Sequence, residues 1–170
     1  MKTAIKIQLL EQVPEHFVQV ANWHHQECER QGLHSTLLVR QQKLTIHIEE
    51  QSIPKTIVAV RGSQLLGCVS LVNYTYRTDS AVPIPRNADP LWLSNLFVPE
   101  NKRNKGIGNL LIEAAKKYAL ELGLNELWLS TTEYTDYYQK RGWEITRRTR
   151  LGGRQVNVMR IYLRDFLRAA

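Results

Sequence analysis

The chain has 170 residues, of which 43% are hydrophobic and 23% are charged. These values exclude a globally disordered protein, and the length suits one domain, residues 1–170, with a core of its own. The longest near-apolar run, residues 91–98, is far shorter than the ~20 residues of a membrane-spanning helix. The net charge of +7 is uneven, since residues 1–85 carry 8 basic and 7 acidic side chains and residues 86–170 carry 15 and 9. An anionic partner of the second half is expected: nucleic acid, a membrane surface or a phosphorylated cofactor.

The first half is predicted to form a strand, two helices and a hairpin. Pro14 suits the first turn of a helix, and Ser35 is a plausible N-cap of the next one. The predicted elements are a strand at 5–10, helices at 14–32 and 35–50, strands at 56–60 and 65–74 around a turn at 61–64, and a polar loop at 77–90. A loop of that length is usually functional or mobile.

The second half contains the strongest helical pattern of the chain. Apolar residues recur at steps of three and one from Ile107 to Leu122, and Gly123 suits the end of that helix. The predicted elements are a strand at 91–98, this helix, a strand at 126–131, a short helix at 133–141, and strands at 143–150 and 155–163. The order β-α-α-β-β-β-α-β-α-β-β contains one clear βαβ unit, at 91–131. It predicts an α/β fold, with a mixed sheet covered by helices on both faces.

The cysteine content and the N-terminal residues indicate the cellular compartment of the protein. Two cysteines, Cys28 and Cys68, are too few for a disulfide-stapled secreted scaffold, and the first residues lack the apolar run of a signal peptide. We therefore expect a cytoplasmic protein. His24 lies four residues before Cys28, but a metal needs three or four ligands and no second cluster accompanies the pair, so no metal is expected.

The segment before the strongest helix has the features of an anion site. The first N–H groups of a helix have no partner within it, and the helix dipole favours an anion there. Gly106 and Gly108 would let a diphosphate approach the backbone, and Lys102, Arg103 and Lys105 add three positive charges. A dinucleotide fingerprint would need a third glycine where Leu111 stands, and the Walker motif is absent.

This segment resembles the CoA-binding motif of the GNAT superfamily of N-acetyltransferases, R/Q-x-x-G-x-G/A. The matching residues are Arg103, Asn104, Lys105, Gly106, Ile107 and Gly108. Downstream, the stretch from Tyr137 to Trp143 resembles the family's F-Y-x-x-x-G-F, and the element order fits over nearly the whole chain. The resemblance implies the GNAT fold, with acetyl-CoA as co-substrate and an amine of a small molecule or peptide as acceptor.

The resemblance also implies roles for individual residues. The pyrophosphate would lie on the backbone of Arg103, Asn104, Lys105, Gly106, Ile107 and Gly108, with Asn109 in the same turn. The pantetheine would pair with Leu96, Phe97 and Val98, where a bulge usually aims an N–H at the thioester carbonyl and would stabilise the oxyanion. Thr131 stands where the family often places an asparagine that touches the pantetheine.

The implied chemistry is attack of a neutral amine on a thioester. Tyr138 matches the position of the family's general acid, which would protonate the departing thiolate, although the neighbouring Tyr137 could instead be the one turned inward. The sequence singles out no general base. Trp23 and Glu27 belong to the helices that wall the acceptor site in this family, so they are candidate acceptor contacts. Core packing of Trp23 and simple solvation of Glu27 are equally open.

Three functions are therefore compared. The leading one is N-acetyl transfer from acetyl-CoA to a primary amine, by direct transfer in a ternary complex. The alternative is a module of the same fold that senses acyl-CoA without turnover. Nucleic-acid binding through the arginine-rich C-terminal strands is weaker, because no DNA- or RNA-binding signature is present. The sequence names no acceptor and leaves open whether the protein is a monomer or a homodimer.

Overall fold

A seven-stranded sheet forms the centre of the computed structural model, which describes residues 3–73, 90–151 and 153–163. The strands are β1 (Lys6–Leu9), β2 (Lys55–Arg61), β3 (Gln64–Asn73), β4 (Leu91–Phe97), β5 (Glu126–Thr131), β6 (Glu144–Leu151) and β7 (Arg154–Tyr162). The helices are α1 (Phe17–Arg30), α2 (Leu37–Glu49), α3 (Ile107–Glu121) and α4 (Thr135–Gln139). Short 3-10 turns at Leu10–Gln12, Pro14–His16 and Glu100–Lys102 complete the described elements.

The element order and the mixed sheet agree with the prediction. The strands lie in the order β1-β2-β3-β4-β5-β7-β6, and every neighbouring pair is antiparallel except β4 and β5. The parallel pair is joined through α3, as the predicted βαβ unit requires. None of the described helices has the length and apolar content that crossing a bilayer demands.

Helices cover both faces of the sheet, because alternate residues of the strands are apolar on each side. On one face, Ile107, Leu111 and Ala115 of α3 pack against β2, β3, β4, β5 and β7. On the other face, α1 and α2 supply Val20, Trp23 and Leu44 to a second core. Leu110 and Leu122, which the periodicity assigned to the buried stripe of α3, are 43% and 39% exposed, so the buried stripe is narrower than predicted.

Local hydrogen bonds explain where the helices begin and end. Thr36, and not Ser35, caps α2, since its hydroxyl accepts from the N–H of Val39 at 3.2 Å. Gly123 ends α3 as predicted, with a φ of 81° that suits glycine. The short helix predicted at 133–141 spans only Thr135–Gln139. The predicted loop at 77–90 lies outside the described residues up to position 89.

The gap between β4 and β5 determines where a ligand can bind. In the described residues the two strands are registered at one pair, Trp92 with Trp128, near the start of each strand. Beyond this pair β4 continues along β3 and β5 along β7. The C-terminal ends of β4 and β5 are therefore not registered with each other, and they leave an opening in the middle of the sheet, beside the N-terminus of α3.

Candidate active site

A cavity of about 590 Å³ occupies this opening. Its walls come from four parts of the chain: the end of α1, the end of β4, the loop and first turn of α3, and the segment from Glu133 to Arg141. All but three of the sequence-predicted site residues line it, namely Glu27, Leu96, Phe97, Val98, Arg103, Asn104, Gly106, Ile107, Gly108, Asn109 and Tyr138. The predicted residues outside the lining are Trp23, Lys105 and Thr131.

The N-terminus of α3 presents free backbone N–H groups to the cavity. Gly106 is the N-cap, with a φ of 83°, and no side chain caps the helix. The N–H of Leu110 is the first that bonds within the helix, to Gly106 at 3.1 Å, so earlier N–H groups remain available. A Cβ added to helical Gly108 would meet nothing within 4 Å, so its own protein neighbours do not require glycine there. The free space lies where an anion would approach the backbone.

Three basic side chains surround the same end of the cavity. Lys102 and Arg103 come from the loop, and the Nε of Arg103 donates to the carbonyl of Val98 at 2.8 Å. Arg141 lies 3.6 Å above the ring of Tyr137 and donates to the Tyr137 carbonyl at 3.0 Å. These contacts hold the two guanidinium groups at the rim, where they add to the positive potential of the helix terminus.

The β4 wall contains a bulge. Cys68 and Ser70 of β3 are registered with Phe97 and Ser94 of β4, so β4 has one more residue than β3 between these pairs. Asn95 takes the left-handed conformation there, with a φ of 53°. The bulge comprises Asn95 and Leu96, and Leu96 lines the cavity together with Phe97 and Val98, which follow it.

Tyr137 and Tyr138 both line the cavity, and they differ in burial. Tyr138 is only 6% exposed and packs edge-on against Tyr137 and Trp143, with ring centroids 5.3 and 5.7 Å apart. Burial, with smaller contributions from Tyr137 and Tyr134, raises the pKa of Tyr138 above its usual value. Its phenol therefore stays protonated at neutral pH.

A salt-bridge network joins the two walls at the other end of the cavity. Arg30, the last residue of α1, contacts Glu27 at 2.6 Å and Glu133, which follows β5, at 2.8 Å. Burial acts to raise the pKa of Glu27, but hydrogen bonds from Arg30 and Gln31 outweigh it and lower that pKa. Glu27 is therefore an ionised, partly buried carboxylate on the cavity wall.

Two predicted contacts are instead engaged in packing and in a turn. Trp23 is buried and stacks on Phe97, with ring centroids 5.0 Å apart. Thr131 is buried at the end of β5, and its hydroxyl accepts from the N–H of Tyr134 at 3.1 Å. Trp23 thus supports the β4 wall from behind, and Thr131 shapes the turn that carries Glu133.

Sequence reasoning missed several lining residues. Arg30 and Glu133 are 103 positions apart, so no local pattern could pair them. Arg141 lies within the aromatic motif that the sequence analysis quoted, but that motif does not by itself indicate a contact with the cavity. Among the residues that the structure describes, no group of three or more His, Cys, Asp or Glu side chains could hold a metal ion.

Comparisons with known proteins agree with this architecture. Residues 17–143 match the model of the acetyltransferase (GNAT) family. A spermidine/spermine N-acetyltransferase, SpeG from Vibrio cholerae, superposes with a TM-score of 0.68 at 15% identity, covering 98% of this chain and 96% of that one. A structure described as a putative phosphinothricin N-acetyltransferase gives a TM-score of 0.69 at 17% identity, covering 94% and 99%.

A third solved structure contains the cofactor of the family. N-acetylglutamate synthase from Neisseria gonorrhoeae, in complex with coenzyme A and N-acetyl-glutamate, superposes with a TM-score of 0.65 at 19% identity. The superposition covers 96% of this chain and 36% of that one. No curated protein sequence shows significant similarity. The family match extends from the start of α1 to Trp143 and includes the opening between β4 and β5, and on this ground the chain belongs to the GNAT family of acetyltransferases.

Proposed function

We propose that this protein transfers an acetyl group from acetyl-CoA to a primary amine, by direct transfer in a ternary complex. One observation carries the proposal: the uncapped N-terminus of α3, with open space at Gly108 and basic side chains at its rim, faces a cavity that the end of β4 and the segment after β5 also line. A diphosphate would fill the end of such a cavity at the helix N-terminus, and a long, thin chain attached to it would fill the space along the end of β4. Acetyl-CoA has this shape.

The cofactor would bind in two segments. Its diphosphate would accept hydrogen bonds from the first N–H groups of α3, with Lys102, Arg103 and Arg141 nearby. Its pantetheine would run along Leu96, Phe97 and Val98, toward the bulge at Asn95. Backbone N–H groups at the bulge would then lie near the thioester carbonyl and stabilise the oxyanion that forms when the amine attacks.

Proton transfer would involve both partners of the reaction. The ammonium form of an alkylamine has a pKa of about 10.4, so at neutral pH the acceptor must lose a proton before it attacks. As the C–S bond breaks, the CoA thiolate takes a proton, and the protonated phenol of Tyr138 is the buried donor on the cavity wall. The amine would enter from the end of the cavity that carries Glu27, whose negative charge attracts an ammonium group.

The solved relatives support a small amine as acceptor. Two of the similar structures are described as acetyltransferases of spermidine/spermine and of phosphinothricin, and a third holds N-acetyl-glutamate. Spermidine, spermine and phosphinothricin each carry a primary amine, and N-acetyl-glutamate is the acetylated form of one. The proposal for this chain therefore specifies a primary amine on the acceptor and leaves the rest of the acceptor open.

Calorimetry and a thiol-release assay test the proposal. Acetyl-CoA should bind with a micromolar dissociation constant, and a panel of primary amines should include at least one that releases free CoA. Absence of binding at high micromolar acetyl-CoA would refute the cofactor assignment. Binding without thiol release from any amine would instead favour the acyl-CoA sensor.

A further inference from the structure

The bulge in β4 is a strained feature that needs support from its neighbours. Asn95 has a φ of 53° in the middle of a strand, a conformation that non-glycine residues adopt only where the surrounding structure imposes it. Asparagine tolerates it better than most residues do. The residues that impose the conformation should lie on β3, the antiparallel neighbour of β4 at the bulge.

Cys68 contacts the bulge from one face of the sheet. It is fully buried, and its Sγ donates to the carbonyl of Asn95 at 3.6 Å. Burial raises the pKa of this thiol to about 12, against the opposing effect of a backbone hydrogen bond at Phe97. The thiol therefore keeps its proton and remains a donor to the bulge at any working pH.

Gly67 contacts the same segment from the other face. A Cβ at this position would lie 2.9 Å from the carbonyl oxygen of Phe97, 3.0 Å from Leu111 of α3 and 3.3 Å from the Val98 side chain. The first of these neighbours is backbone, which cannot rotate away. Glycine thus lets β3, the end of β4 and the first turns of α3 meet at one point.

We propose that Gly67 and Cys68 are positioning residues that hold the β4 bulge in the shape which aims its backbone at the thioester. The inference rests on the proposed function and extends it to two residues that do not line the cavity. Gly67 sets the distance between the bulge and the phosphate-binding end of α3. Cys68 fixes the peptide that follows Asn95.

Two substitutions at Cys68 separate positioning from packing. Alanine and serine have nearly equal volumes, so Cys68→Ala and Cys68→Ser leave similar space in the core, but only serine keeps a hydrogen-bond donor. If Cys68 positions the bulge, Cys68→Ala lowers kcat about tenfold with little change in the dissociation constant of acetyl-CoA, and Cys68→Ser restores most of kcat. If Cys68 only fills space, serine is no better than alanine, because its hydroxyl is buried in an apolar core.

Amide hydrogen exchange supplies a readout that needs no activity. The amides of Asn95, Leu96 and Phe97 should exchange faster in Cys68→Ala than in Cys68→Ser or the wild type. Gly67→Ala should speed exchange at the same amides and weaken acetyl-CoA binding as well, since it also displaces Leu111. Equal kcat values and equal exchange rates in the two Cys68 variants would overturn the inference. A wild type that binds no acetyl-CoA refutes the proposed function, while the exchange rates still decide whether Cys68 holds the bulge.

Discussion

The two ends of the cavity, which we propose bind the diphosphate and the acceptor, are built in different ways. The phosphate-binding end is formed mostly by one stretch of the chain, residues 102–109, with Arg141 added at the rim, and presents backbone N–H groups of one loop and one helix turn. The acceptor end joins Glu27 and Arg30 of α1 to Glu133, which follows β5 more than 100 positions later. The first end depends on local backbone geometry, and the second on how two layers pack.

This difference predicts different responses to substitution. At the phosphate-binding end, added volume should block the ligand, whereas loss of one charged side chain should matter less. At the acceptor end, side chains make the surface, so removing one charge should change acceptor binding and spare the cofactor. The following variants test the contrast, in order of decreasing expected effect.

The largest effect is expected from volume at Gly108. Gly108→Leu should fold at least as well as the wild type, because the position is helical, open and intrinsically unfavourable for glycine by up to ~1 kcal/mol. Its side chain should nevertheless block the diphosphate and weaken acetyl-CoA binding at least ~100-fold. Calorimetry measures the loss of affinity, and the acetyl-CoA affinity of Gly108→Ala should lie between those of Gly108→Leu and the wild type. Unchanged affinity in Gly108→Leu would show that the phosphates bind elsewhere.

Removal of the proposed acid should come next. Tyr138→Phe keeps the ring between Tyr137 and Trp143 but loses the phenol, so kcat should fall about 100-fold while the acetyl-CoA dissociation constant stays the same. Tyr137→Phe is the control and should retain most of the activity. If the two variants exchange these outcomes, Tyr137 is the proton donor.

Neutralising Glu27 should change acceptor binding alone. Glu27→Gln should raise the KM of the amine about tenfold, since it removes an ionised carboxylate from the cavity wall and leaves Arg30 with one acidic partner fewer. Glu29→Gln is a matched control on α1, where Glu29 is 65% exposed and pairs with His25. Equal KM values in both variants would show that Glu27 does not contact the acceptor.

The smallest effect is expected in the basic loop. Lys102 lines the cavity and Lys105 does not, although both belong to the same cluster of charges. Lys102→Ala should weaken acetyl-CoA binding about threefold to tenfold, and Lys105→Ala less than twofold, with the difference shrinking at high salt. Equal losses of affinity in the two variants would mean that the loop attracts acetyl-CoA through its total charge and not through Lys102 in particular.

Most of the fold was predictable because its signals are periodic and local. The existence of helix α3, the glycine at its end and the bounds of β5 follow from residue spacing, and the structure agrees with each of them. The errors in the predicted elements lie at their ends, because a single hydrogen bond can decide where a helix begins. The cap of α2 is Thr36 and not the predicted Ser35 for this reason. The exposure of Leu110 could not be foreseen, since it depends on how far the sheet extends beneath α3.

The sequence by itself determined the loop and the helix N-terminus at the proposed phosphate-binding end, because their glycines and basic residues are neighbours along the chain. Tertiary structure alone decided the rest. The opening between β4 and β5, the salt bridges of Arg30 and the contacts of Gly67 and Cys68 with the end of β4 arise between distant segments. The same division applies to charge, since the sequence shows an excess of basic residues in the second half and only packing selects which of them reach the cavity.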